Sequence, residues 1–133
     1  LRTGLNKNLD FSPEDRTENI RRTAEVANLF TKAGFVVLVS LISPYRSERK
    51  KARDIRPEIF REIYIEASLE ECSKRDVKGL YAKAIKGEIK NFTGISSPYE
   101  PPEMPNLVIN TSKCSIEESV KKLEKFILKE FSF

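Results

Sequence analysis

The stretch "FVVLVSLI", Phe35 to Ile42, decides how this chain reads. It is apolar at every position but Ser40, rich in valine, and shows no alternation. A run of that kind is apolar on both faces, as a central strand of a parallel sheet covered by helices must be. Gly34, just before it, suits the residue that ends a helix in a left-handed conformation. Further upstream, Ile20, Ala24, Ala27 and Phe30, with Val26, Leu29 and Ala33 alongside, recur at helical spacing. Ser12 offers an N-cap, Pro13 fits the first helical position, and Glu14 and Asp15 favour the positive end of the helix dipole. The spacing therefore predicts an amphipathic helix over Pro13 to Ala33, feeding directly into a strand that Ser43-Pro44 closes.

Downstream, Ser47 to Arg53 reads as helical, "REIYIEA" (Arg61 to Ala67) as a second strand, and Leu69 to Arg75 as a helix. "LVIN" (Leu107 to Asn110) is a third, short strand. Ser115 with Glu118 makes a capping-box pattern, opening a last helix that carries Val120, Leu123, Phe126 and Ile127 and runs to about Phe131. This order of helices and strands predicts an α/β fold with a parallel sheet and right-handed crossovers. A sheet of this kind that opens on a helix leaves that helix without a preceding strand to pack back from. The one long irregular segment, Glu88 to Asn106, holds Gly94 and four prolines. Loops of that length in a small domain are functional or disordered.

Composition narrows the function. The 133 residues fit one domain, a third of them charged, with a net charge of +4. No apolar run reaches the roughly 18 residues that a membrane span needs, and no basic-then-apolar leader opens the chain, so a cytoplasmic setting is expected. Histidine is absent, which removes imidazole bases, His-containing triads and His metal sites. Cys72 and Cys114 lie far apart without metal-ligand spacing and read as two reduced thiols. The modest basic balance fits a small phosphate-rich ligand as well as a solvated surface. The basic residues are too scattered for a nucleic-acid face.

In open parallel sheets ligands bind beyond the carboxyl ends of the strands, which puts "SPYR" after the first strand and "NTSKC" after the third on one rim. Arg16 and Asn19, three apart, share a face near a helix N-terminus, where anions are already favoured. A solvated face with intrahelical pairs such as Glu18 with Arg22 explains the spacing equally. Phe11 precedes the N-cap and suits either a hydrophobic staple or an aromatic face for a purine base. Phe92, in the polar stretch "IKNFTG", has little local reason to be there. Lys74, Arg75, Lys78, Lys83, Lys86 and Lys90, interleaved with Gly79 and Gly87, suit a mobile lid that closes cations over phosphates. There is no GxxxxGK[ST] stretch among these residues, and no paired acids stand at strand ends to hold Mg²⁺.

Taken together, "GLNKNLDFSPEDRTENIRR", "ISPYRSER", "RDVKGLYAKAIKGEIKNFTGI" and "PYEPPEMPNLVINT" resemble the adenylyl-sulfate kinase family in order and across essentially the whole chain. The resemblance implies a P-loop NTPase-like parallel sheet whose first strand and phosphate loop lie upstream of Leu1. Residues 1–133 then form a single kinase domain, its C-terminal part, with a lid at about 75–95. The family transfers the γ-phosphate of ATP to the ribose 3′-hydroxyl of adenylyl sulfate, with Mg²⁺, and makes 3′-phosphoadenylyl sulfate for sulfate assimilation. Carried over, Arg2, Arg16 and Asn19 would contact adenylyl sulfate, and Phe11 and Phe92, the latter preceded by Asn91, would sandwich its adenine. Ile42 and Ser43 would line the site between the nucleotides, with no defined catalytic role for Ser43. Lys78 would reach the phosphosulfate from the lid, and Arg75, Thr111 and Cys114 would lie near the adenine of ATP. No residue here is assigned to metal. Asp10 and Asn91 stand where the family has glycine, and Glu66 where it has aspartate. Without the phosphate loop, these residues by themselves are expected not to transfer phosphate at an appreciable rate. The alternative is a regulatory domain that binds adenylyl sulfate or its 3′-phosphate beside ATP sulfurylase. An ATP sulfurylase partner or fusion and a homodimer are also expected from the resemblance; nucleic acid and membrane are not.

Overall fold

A computed structural model describes residues 3–131. Helix α1 (Pro13–Lys32) starts where its cap chemistry says it should: the Ser12 hydroxyl accepts from the Asp15 N–H, Pro13 opens the first turn, and Glu14 and Asp15 follow. It ends at Ala33, and Gly34 takes φ +91°, a backbone conformation that glycine adopts without a Cβ penalty. Helix α2 (Arg46–Ile55), strand β1 (Ile63–Glu66), helices α3 (Leu69–Lys74) and α4 (Leu80–Ile85), strand β2 (Leu107–Asn110) and helix α5 (Ile116–Glu130) follow. The chain divides into two compact units, residues 1–60 with 98–101, and residues 61–97 with 102–133.

In the first unit α1 packs on α2. Ile20 and Thr23 are buried on the inner face of α1, while Glu48 and Arg49 are buried on α2. A buried guanidinium must have its N–H groups satisfied. Arg49 meets this through the Ser43 carbonyl at 2.6 Å and the Glu100 carbonyl at 2.7 Å. The Glu100 N–H in turn donates to the Pro44 carbonyl at 2.8 Å, and its carboxylate accepts from the Arg46 N–H at 2.7 Å. The corner Ser43–Arg46 is thus stapled to residues 98–101 by main-chain and charge-assisted bonds.

The expected first strand differs from what the structure contains. Among the described residues Phe35–Ile42 forms no strand, and no main-chain hydrogen bond involves Val36 to Ile42. Its apolar side chains are open, with Phe35 at 62% and Leu38 at 70% exposure. The physical reason is that β propensity selects an extended backbone, whereas a strand exists only when a neighbour completes its ladder of N–H and C=O partners.

The second unit holds the sheet. β1 and β2 pair in parallel, in the register Ile63 with Leu107 through Glu66 with Asn110. Ile109 is 1% exposed, and α5 packs on β2. The Arg61–Glu130 ion pair at 2.6 Å ties the start of β1 to the end of α5. At the start of α5, Ser115 and Glu118 exchange side-chain and backbone bonds in the expected capping box. β1 is shorter at both ends than Arg61 to Ala67, because the parallel partner spans only four residues. Both cysteines are free thiols, as the sequence suggested.

Candidate functional site

The first unit carries Phe11, Arg16, Asn19, Ile42 and Ser43 of the expected site; Arg2 lies outside the described residues. Phe11 is not a buried staple: it is 59% exposed, with Arg16 lying over its ring. The Arg16 guanidinium carbon lies 5.9 Å from the ring centroid, and its Nε donates to the Phe11 carbonyl at 3.0 Å. An exposed ring beneath a guanidinium is a platform on which a planar base or an anion can settle. Asn19 sits three residues along and turns inward. It is buried, and its Oδ1 accepts from Asn6 Nδ2 at 2.9 Å. The spacing that put Arg16 and Asn19 on one helical face is therefore resolved into two neighbouring jobs.

Ile42 is 64% exposed, and Ser43 is bent to φ +38°. That backbone region is uncommon for a residue with a Cβ and is tolerated where the surroundings hold it. Here the hold is the Arg49 bond to the Ser43 carbonyl together with Pro44, which is buried. A concavity of about 410 Å³ in this unit lies elsewhere, lined by Pro13, Glu14, Thr17, Glu18, Glu48 and Lys51. Its three carboxylates make it a poor place for an anion.

The second unit carries Arg75, Lys78, Asn91, Phe92, Thr111 and Cys114. The carboxyl ends of β1 and β2 meet as Asn110 Nδ2 donates to Glu66 Oε2 at 2.6 Å, and Thr111 N–H donates to the Glu66 carbonyl at 2.9 Å. Arg75, just past α3, reaches across to Thr111 and donates to its carbonyl at 2.7 Å and its hydroxyl at 3.1 Å. Glu71 fixes the same guanidinium at 2.8 Å. Two of the three residues expected near the ATP adenine are thus joined at the strand ends. Cys114 is set apart from them by contact with Lys122 Nζ at 2.9 Å, which raises the pKa of that ammonium.

Gly79, at φ +65°, leads into α4, whose first N–H groups bond to the Asp76 carboxylate at 2.9 and 2.8 Å. Phe92 packs edge-on against Tyr81, ring centroids 4.9 Å apart, and Asn91 takes φ +55°, which asparagine tolerates better than most residues. The Tyr81 hydroxyl has its pKa pushed up by burial and then by its bond to Cys72. Lys78 is exposed. Asn6, Glu66, Asp76 and Tyr81 were not picked out as site residues. Asp76 was recoverable as an acid just before a glycine-led helix, and the rest carry no local signal. Among the described residues, no three His, Cys, Asp or Glu side chains gather as a metal site.

The family model for adenylylsulphate kinase matches residues 1–110. The chain belongs to the adenylylsulphate kinase family. It is 56% identical over 96% of its length to an adenylyl-sulfate kinase of Acaryochloris marina, and 53% identical over 99% to one of Bacteroides fragilis. It spans 62% and 66% of those two relatives' lengths. It is also 51% identical to part of the bifunctional enzyme NodQ of a Rhizobium species, covering 20% of that protein. Among solved structures it matches the Mycobacterium tuberculosis APS kinase CysC, in complex with AMPPNP and APS, at TM-score 0.90 and 43% identity. That match covers 96% of this chain and 75% of the other. The kinase family's P-loop NTPase-like α/β fold is therefore the fold of this chain, and the parallel β1–β2 pair with its flanking helices belongs to it. Among the described residues, no helix is long and apolar enough to cross a membrane.

Proposed function

We propose that the protein carrying this chain is an adenylyl-sulfate kinase that transfers the γ-phosphate of ATP to the 3′-hydroxyl of adenylyl sulfate. The observation that carries this reading is the likeness, over 96% of the chain, to a kinase solved with AMPPNP and APS. The local chemistry supports it. Phe11 and Phe92 each offer a ring to the adenine of adenylyl sulfate. Arg16, lying over Phe11, supplies a cation, and Asn19 supplies an amide beside it. Arg2, Ile42, Ser43, Lys78 and Asn91 would complete the adenylyl-sulfate contacts, with residues 75–95 acting as a lid. The pair Arg75–Thr111, with Cys114, would receive the adenine of ATP. Mg²⁺ is expected with the ATP phosphates. The described residues gather no carboxylate cluster for it, and the roles assigned to them here are to bind and orient the nucleotides. A homodimer, a cytoplasmic setting and an ATP sulfurylase partner complete the reading.

The test is a 3′-phosphorylation assay with ATP, Mg²⁺ and adenylyl sulfate. The full-length protein should turn over. The 133-residue chain, which contains no GxxxxGK[ST] stretch, should bind adenylyl sulfate but transfer phosphate negligibly. Robust turnover by the 133 residues overturns the need for a phosphate loop. The second reading is a regulatory domain that binds adenylyl sulfate or its 3′-phosphorylated form. Full-length protein that binds both nucleotides yet makes no product decides for it.

A further inference from the structure

We propose that Asn6 is a positioning residue that sets which end of the Asn19 carboxamide is presented to adenylyl sulfate. This rests on the reading above, in which Asn19 contacts that substrate. Asn6 belongs to the turn of residues 3–8 and is 0% exposed, although asparagine is a residue that normally stays in water. Two independent ties hold the turn against α1. Arg22 Nη1 donates to the Leu5 carbonyl and to Asn8 Oδ1, each at 2.9 Å, while Glu18 holds the same guanidinium at 2.7 Å. The backbone around Asn6 is therefore fixed without help from its side chain, which leaves the buried amide to be explained by something other than anchoring.

Among the described residues the Asn6 side chain makes one hydrogen bond, from Nδ2 to Asn19 Oδ1, and its own Oδ1 is buried without a partner. A carboxamide has an accepting end and a donating end, and turning it over exchanges them. If both amides were reversed, Asn6 would bury two unpartnered N–H donors in place of one N–H and the oxygen. With Asn6 donating, Asn19 must accept through Oδ1, which leaves its Nδ2, with no hydrogen-bond partner among the described residues, as the end available to a ligand. Thr23 meanwhile bonds the Asn19 carbonyl at 2.7 Å, so the main chain beneath is settled. An outward N–H donor is the end that suits the oxygen-rich surface of a nucleotide; an outward carbonyl oxygen would repel it.

The test uses the full-length protein and two substitutions, with calorimetric binding of adenylyl sulfate and of AMPPNP and the thermal midpoint measured for each. Asn6→Asp keeps the volume but replaces the donor with an acceptor, so the Asn19 amide must turn over to donate inward. Asn6→Leu removes the donor and the orphaned oxygen together, and it keeps the experiment decisive if a buried carboxylate prevents the first variant from folding. Both should weaken adenylyl sulfate by about tenfold, while AMPPNP stays within about twofold and the Asn6→Leu midpoint is retained. Adenylyl-sulfate binding unchanged in folded Asn6→Leu overturns the proposal. So does a parallel loss of both ligands with a fallen midpoint, since that assigns Asn6 to structure alone. If the unsubstituted protein does not bind adenylyl sulfate at all, the functional reading itself fails and takes this inference with it.

Discussion

Glu18 sits on α1 between two guanidinium groups, bonded to Arg21 at 2.7 Å and to Arg22 at 2.7 Å. Those hydrogen bonds, Arg21's first, lower its pKa from an ordinary 4.5 to about 2. A carboxylate whose pKa falls on folding contributes stability above the unfolded value and loses it as pH drops through the folded one. Glu18→Gln should therefore flatten the dependence of the unfolding midpoint on pH between about 4.5 and 2, read by thermal melts across that window. A slope unchanged by the substitution assigns no stability to the cluster. Phe92 poses a different question, because its edge-on contact with Tyr81 would hold it in place whether or not a base binds. Phe92→Ala should cost about 1–3 kcal/mol of adenylyl-sulfate affinity if the ring stacks on adenine, by analogy with base–aromatic stacking. A lowered melting midpoint with full affinity would make Phe92 a packing residue of α4. At this scale the sequence disclosed residue types that suit anions and bases, and no more. Phe11, Arg16 and Phe92 could be singled out because each was locally surplus to helix capping or loop chemistry. Asn6 could not, since an asparagine in a turn is unremarkable until a partner thirteen residues away is seen to bury it.

Helices and their caps were the most legible elements, because the groups that start and stop a helix are neighbours in sequence. Ser12 and Pro13 open α1, and Ser115 with Glu118 opens α5. Ser115→Ala should lower stability by about 1 kcal/mol, seen as a shifted denaturant midpoint with an unchanged slope, and leave adenylyl-sulfate affinity as it was. A loss of affinity would mean that α5 governs the "NTSKC" corner as well as its own start. Gly79 makes a similar case at α4. Its φ of +65° leaves open space for a Cβ, so any cost of Gly79→Ala comes from the backbone, about 1 kcal/mol, and not from a clash. Strands were legible in type but not in extent. "LVIN" forms β2 over the expected residues, but β1 covers only the middle of "REIYIEA" because pairing, not propensity, ends a strand.

Over the whole molecule, the described chain presents Phe35, Leu38 and Ile42 at 62%, 70% and 64% exposure along one segment without ladder bonds. Open backbone beside open apolar side chains is a template for association. The isolated 133-residue chain should therefore self-associate in sedimentation velocity, and Leu38→Lys should reduce it; a monodisperse monomer with the native sequence would refute that expectation. The sequence by itself determined the α/β order, the helix caps, the lack of histidine among these 133 residues and, through its motifs, the kinase family, since all of these depend on residue type and short spacing. Only the tertiary structure decided that Arg75 closes onto Thr111, that Arg16 lies over Phe11, and that Asn6 donates to the Asn19 amide. It also decided that "FVVLVSLI" forms no strand among the described residues. Those outcomes depend on which hydrogen-bond donors and acceptors meet across the fold, and a buried polar group takes its meaning from the partner that tertiary contact supplies.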